Sequence, residues 1–364
     1  MPLAVETLGT GETYTTIQAW EDALANDIQH TGQCKAEAFA KVAFGGVAYT
    51  ATEYPHLTAV DGAEHDGRAH EVSGAGNARI EWAAAGHAVG IFAEYVRFSW
   101  MEVKGPGDNN FYDGIRVALV TASTCHIHHN IVHNNAACVG TTNYGIDNND
   151  TDVAAYIYRN TVYGYGGYGI ATYSIANTGV LLCNTVFKNV GDGIRNDNAN
   201  VVIEDNACFE NTGGDFYSTI GVLDYNATSD ASGAEGAHRL ANLVTADQFV
   251  NPTTTWADTD LTIKAGADLI GAGNAQNPAT YVEIDVPITN RSGTVCETTT
   301  TTAAPTTTTE AFCCEDTMCY LPGEGPQTEA CISPCTAGLC TYVEVGGPCG
   351  GGDVYYNYSS DTCT

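Results

Sequence analysis

Ile127-His128-His129-Asn130-Ile131-Val132, Ile157-Tyr158-Arg159-Asn160-Thr161-Val162, Leu181-Leu182-Cys183-Asn184-Thr185-Val186 and Ile203-Glu204-Asp205-Asn206-Ala207-Cys208 write one pattern four times. An apolar residue, two others, an asparagine and a second apolar residue recur, and the asparagines step by 160 − 130 = 30, 184 − 160 = 24 and 206 − 184 = 22 residues. A Gly-Ile mark follows at Gly145-Ile146, Gly169-Ile170 and Gly193-Ile194, with a weaker one at Gly214-Asp215-Phe216. An earlier copy, Val96 to Val103, leads to Gly114-Ile115 and carries Met101 in the asparagine slot. A period this short without helical spacing predicts a solenoid of stacked β-coils.

Side chains alternate between the two faces of a strand. If Ile127, Ile157, Leu181 and Ile203 point inward, so do Cys125, Ala155, Gly179 and Val201, which suits a narrow dry core. Asn130, Asn160, Asn184 and Asn206 then fall where each coil turns. Asn tolerates left-handed backbone there, and its amide can bond the same turn one coil away, so a structural ladder is expected.

Outward on the same strands lie His126 and His128, then Tyr156 and Tyr158, then Val180 and Leu182. That column predicts an exposed aromatic and apolar binding surface, fit for a sugar or a neighbouring subunit. His126 and His128 share a face, yet no third ligand accompanies them, so no metal is assigned.

The tetrapeptide Asp113-Gly114-Ile115-Arg116 returns as Asp192-Gly193-Ile194-Arg195. By itself an Asp paired with an Arg at a turn is a structural ion pair. No cofactor is expected. Calcium is the one ion considered, on Asp147, Asp150 and Asp152 with Asn148 and Asn149.

The chain has 364 residues, 40 glycines, 15% charged residues and a net charge of −30. Such acidity excludes a nucleic-acid backbone or an anionic membrane as partner. No apolar run is long enough for a bilayer, and Met1-Pro2-Leu3-Ala4-Val5-Glu6 lacks the features of a signal peptide. Fourteen cysteines nevertheless point to an oxidising setting, extracellular or on a virion.

Ile17, Trp20, Ala23 and Leu24 have helical spacing behind capping threonines, which predicts a short helix plugging the first coil. Strands are expected around Ala40 to Val47 and Ala78 to Trp82. Cys125 and Cys138 are placed to close the insertion in their coil. Residues 296–311 form a threonine-rich linker, and Cys313, Cys314, Cys319, Cys331, Cys335, Cys340, Cys349 and Cys363 crowd the tail beyond it. A segment so small and poor in aliphatics needs disulfides, and eight cysteines allow 105 pairings. The expected layout is a cap over 1–35, solenoid over 36–295, linker over 296–311 and cysteine-rich module over 312–364.

Gly11-Glu12-Thr13-Tyr14-Thr15-Thr16-Ile17-Gln18-Ala19-Trp20-Glu21-Asp22, Glu64-His65-Asp66-Gly67, the Asn-marked coils and Leu261-Thr262-Ile263-Lys264-Ala265-Gly266-Ala267 resemble the right-handed parallel β-helix proteins of the pectate-lyase-like superfamily. The resemblance covers roughly residues 8 to 295 and implies an all-β, right-handed parallel β-helix with closing coils over Asp260 to Val286. Because lyases of that superfamily hold calcium on carboxylates and use a Lys or Arg as base, it also makes Asp113, Arg116, Asp192 and Arg195 weak catalytic candidates. That superfamily holds polysaccharide lyases and hydrolases, phage tailspikes and inert surface proteins, so fold does not fix activity. The favoured reading is a non-enzymatic extracellular structural or adhesion protein, a phage virion surface component of tailspike, fibre or capsid-decoration type. Its partners would be further copies in a trimer, other virion proteins or a cell-surface glycan. The alternative is a secreted polysaccharide lyase or glycoside hydrolase with an appended cysteine-rich module.

Overall fold

The computed structural model describes residues 3–25, 28–46, 48–65, 69, 76–105, 112–118, 123–134, 142–149, 153–173, 179–218, 221–231, 236–253, 259–270 and 272–273, and six short strands beyond residue 312. The chain separates into two compact units, 1–299 and 300–364.

The first unit is a right-handed parallel β-helix built from three sheets of nine, seven and eight strands. Each complete coil contributes one strand to each sheet, while the first and last coils are partial. Ser123–His128, Ile131–His133 and Ile146–Asn148 form one such coil, and Val153–Tyr158, Thr161–Tyr163 and Ile170–Thr172 form the next. Register is unbroken along the nine-stranded sheet, where Phe98, Ile127, Ile157, Leu181, Ile203 and Leu223 stand one above another. Most of this column is wholly buried, together with Val103, Val132, Val162 and Val186 of the eight-stranded sheet and Ile115, Ile146, Ile170 and Ile194 of the seven-stranded sheet. Branched side chains dominate this narrow, close-packed tube, with Phe98 filling one rung, which is why the same few residue types recur.

A row of amides ties one corner. Asn130 Nδ2 donates to Asn160 Oδ1 at 3.0 Å, Asn160 to Asn184 at 3.1 Å, Asn184 to Asn206 at 3.0 Å and Asn206 to Asn226 at 3.1 Å. Each Oδ1 also accepts the backbone N–H of the preceding asparagine, so two donors per coil are satisfied. The left-handed residue is not the asparagine, as the sequence suggests, but its predecessor: Trp100, His129, Arg159, Cys183, Asp205 and Tyr225 have φ between 53° and 59°. One left-handed residue bends the chain sharply enough to send it from one sheet into the next, leaving the asparagine to point along the stack.

The opposite corner is made of glycine. A Cβ at Gly114, Gly145 or Gly169 would lie within 2.7, 2.6 and 2.7 Å of the carbonyl oxygens of Gly145, Gly169 and Gly193, so the Gly-Ile mark records close backbone approach.

Leu3–Leu8 and Gln29–Cys34 are the first two strands of the nine-stranded sheet, so the solenoid begins well before residue 36. The helix between them is only Ile17–Glu21, capped by Thr16, whose Oγ1 accepts Ala19 N–H at 3.1 Å. Ile17 and Trp20 are fully buried in the solenoid core. Val42–Phe44 and Arg79–Glu81 are strands of the seven- and eight-stranded sheets.

Where closing coils were expected, Phe249–Asn251 and Asp260–Ile263 pair antiparallel instead. Phe249, Leu261 and Leu269 bury themselves with Ile131, Tyr163, Phe187 and Phe209, which project outward from the eight-stranded sheet. That apolar outer face needs a cover, and the returning chain provides it.

Cys125 is a free buried thiol, like Cys34 and Cys208, so it closes no bridge to Cys138. Its inward position follows from strand parity, and burial pushes the thiol up to about 12. The second unit contains two three-stranded antiparallel sheets, with Cys314 opposite Cys319 in one of them. The linker and the pairing of the eight tail cysteines lie outside the described residues.

Candidate functional site

The outward column of the nine-stranded sheet has the predicted order but not the predicted exposure. His126 stacks on Tyr156 at 4.8 Å and His128 on Tyr158 at 4.7 Å between ring centres. His128 is only 1% exposed, Val180 6% and Leu182 2%. Tyr158, Val180, Leu182 and Cys183 form a small buried cluster of their own. His128, Tyr158, Val180 and Leu182 are thus out of solvent, as valine and leucine prefer, while His126 and Tyr156 stay partly exposed, so the column is not open along its length. Further along, His65 Nε2 donates to the His129 carbonyl at 2.6 Å, and Trp100 stacks on His129 at 4.3 Å. Among the described residues, no group of three His, Cys, Asp or Glu side chains is arranged to hold a metal ion.

A second, polar face lies on the seven-stranded sheet, partly open at Arg116, Arg195 and Tyr217. Alignment of coils on the Gly-Ile marks gives one outward column of Arg116, Asp147, Ala171, Arg195 and Tyr217. Asp113, Tyr144, Tyr168 and Asp192 each precede a glycine of that mark, and Ala118, Asn149, Tyr173 and Asp197 lie two residues beyond the central column. A grid of acids, bases and tyrosines results.

At one end of the grid Arg116 Nη1 bridges two carboxyls, Asp147 Oδ2 and, at 3.4 Å, Asp113 Oδ2. Asp113 Oδ1 accepts Tyr144 N–H at 2.8 Å, and His87 Nδ1 lies 3.1 Å from its other oxygen. Both aspartates are buried, and Asp147 Oδ1 has no hydrogen-bond partner. Burial first, and the Asp113 carboxylate second, push Asp147 up to about 8 against the opposing pull of Arg116. Two carboxyls this close titrate as a pair, and burial favours keeping a proton on Asp147.

At the other end, Arg195 sits among rings: its guanidinium carbon is 4.9 Å from the centre of Tyr168, 5.3 Å from Tyr173 and 5.1 Å from Tyr217. Arg195 Nε donates to Asp197 Oδ2 at 3.0 Å and Nη1 donates to the Tyr168 hydroxyl. Tyr144 and Tyr168 stack at 5.0 Å. Ala171 forms the floor between them, small enough to leave the rings their room. Tyr144, Tyr168 and Tyr173 are half-buried, and Tyr217 is 48% exposed.

The weak catalytic candidates thus share one face without forming one cluster. Asp113 and Arg116 meet, joined by Asp147, whereas Asp192 and Arg195 lie two coils further on, with the Ala171 coil between. Sequence reading missed Asp147 as their partner and missed all four tyrosines. Of the carboxylates considered for calcium, Asp147 lies in a strand whose alternation turns Asn148 to the opposite side, with Arg116 at its Oδ2. Asp150 and Asp152 lie outside the described residues.

No family model matches the chain, and no curated protein matches it. Two solved structures are similar, both of the pectin methylesterase from Aspergillus niger in deglycosylated forms. Each is 11% identical, covers 71% of this chain and 95% of its own, and has a TM-score of 0.38 or 0.39. The fold assignment rests on the sheets and their register, and that likeness adds nothing on activity.

Proposed function

We propose that the chain is an extracellular surface protein, structural or adhesive in role, that binds glycan on the outer face of its seven-stranded sheet. One observation carries this: Tyr168, Tyr173 and Tyr217 surround Arg195 on a partly open sheet, with Tyr144 stacked on Tyr168 and carboxylates at the margins. Tyrosine rings stack on the C–H faces of sugars and bring little conformational entropy to lose, while fixed carboxylates orient hydroxyls. The setting we favour is a virion or cell surface, with further copies of the chain or other virion proteins as neighbours. A glycan array probed with the intact protein and with Tyr168→Ala tests the binding; retention of every signal by the variant would sink it. Solution mass tests the trimer.

A second reading, an enzyme acting on the same glycan, has one observation in its favour. Asp113 and Asp147 face each other across Arg116 with a proton retained near neutrality, the arrangement general acid–base chemistry uses. Glycan cleavage that vanishes in Asp147→Asn while binding persists would select it.

A further inference from the structure

Resting on the glycan-binding reading above, we infer that the ligand of the tyrosine grid is a neutral glycan, recognised through its hydroxyls and C–H faces rather than through acidic groups.

The argument is one of donors, acceptors and charge. The grid carries Asp113, Asp147, Asp192 and Asp197 against Arg116 and Arg195. Both guanidinium groups already face carboxylates, Arg116 those of Asp113 and Asp147, Arg195 that of Asp197. With Asp147 protonated, three carboxylates still oppose two cations, on a chain whose net charge is −30. A uronate or sulfate is an acceptor without a donor and would add negative charge to a negative field.

Half-buried Asp192 and Asp197 flank Arg195 and are acceptors that want O–H donors. Sugar hydroxyls are such donors. Tyr217, nearly half exposed, and Tyr168 offer ring area to the C–H faces between those hydroxyls. A hydroxyl-rich uncharged chain lying across neighbouring coils satisfies both demands at once. Affinity built this way responds weakly to salt, because it contains no net charge pairing for ions to screen.

The test is titration of the full chain with cellohexaose, mannohexaose and a galactan oligosaccharide, then with oligogalacturonate, a heparin oligosaccharide and a chitosan oligosaccharide, each at about 0.05 and 0.5 M salt. A neutral oligosaccharide should bind with an affinity that changes less than about twofold between the two salts. Tyr217→Ala should weaken it about tenfold, the equivalent of one well-placed aromatic contact. Because Tyr217 is exposed, the variant keeps its fold, which circular dichroism checks.

Salt-sensitive binding of oligogalacturonate, heparin or chitosan that is lost in Tyr217→Ala would keep the binding face and overturn its neutral ligand. Binding of any glycan that Tyr217→Ala and Tyr168→Ala leave untouched, or no binding across the set, would overturn both.

Discussion

Asp147 is the residue with most at stake. Its carboxyl ionises near 4 in an unfolded chain and near 8 in the solenoid, so the folded state holds a proton that the unfolded state releases. Between those values the unfolded chain binds fewer protons, and stability falls as pH rises from about 4 to about 8, then levels off. Asp147→Asn removes that slope. Thermal melts of the two proteins should converge near pH 4 and diverge by several degrees at pH 8, with the variant higher; parallel curves would refute the assignment. The signal for this residue was in the sequence. Written from the Gly-Ile marks, Gly-Ile-Arg116, Gly-Ile-Asp147, Gly-Ile-Ala171 and Gly-Ile-Arg195 align without a gap. Matching whole tetrapeptides instead of single columns hid it.

Among the elements, the asparagine corner and the returning antiparallel pair bear testable loads. Asn184 donates to Asn206 and to the Ile157 carbonyl at 2.9 Å and accepts from two groups of Asn160, all buried. Asn184→Ala strands several of these at once, and at about 1–3 kcal/mol for each orphaned group the loss should exceed about 3 kcal/mol in urea unfolding. Phe249 packs edge-on against Phe209 at 5.1 Å and is fully buried. Phe249→Ala should cost about 3–5 kcal/mol and expose a dye-binding patch on the eight-stranded sheet. An effect under about 1 kcal/mol would show that the segment does not seal that sheet. The corner asparagines could be read from spacing because each one sits at a fixed distance from an inward residue. The returning pair could not, since a strand that lies across a solenoid has the same alternation as one that extends it.

For the molecule as a whole, repetition made the solenoid readable while exposure stayed hidden. Strand parity placed His126, Tyr156 and Val180 in one outward column, but parity is silent on whether chain from elsewhere lies over that column, and burial of Leu182 shows the limit. Division at residue 299 leads to a further expectation: residues 1–299 alone should give the same β-type circular dichroism and melt within a few degrees of the full chain. A collapsed or aggregated product would mean that the second unit is needed for folding.

Along the corner row each amide from Asn130 to Asn206 donates to the asparagine of the next coil, and those from Asn160 to Asn226 also donate to a carbonyl of the coil before, so the same contacts repeat at every step. A stack with such a uniform polarity has interchangeable rungs. Copying the 24-residue span from Asn160 to Cys183 in tandem should splice in without a mismatch at either junction, lengthening the rod by about 4.8 Å per copy. Length in this molecule is thus a quantity that duplication can adjust one step at a time, while the tyrosine-bearing flank simply grows longer with it.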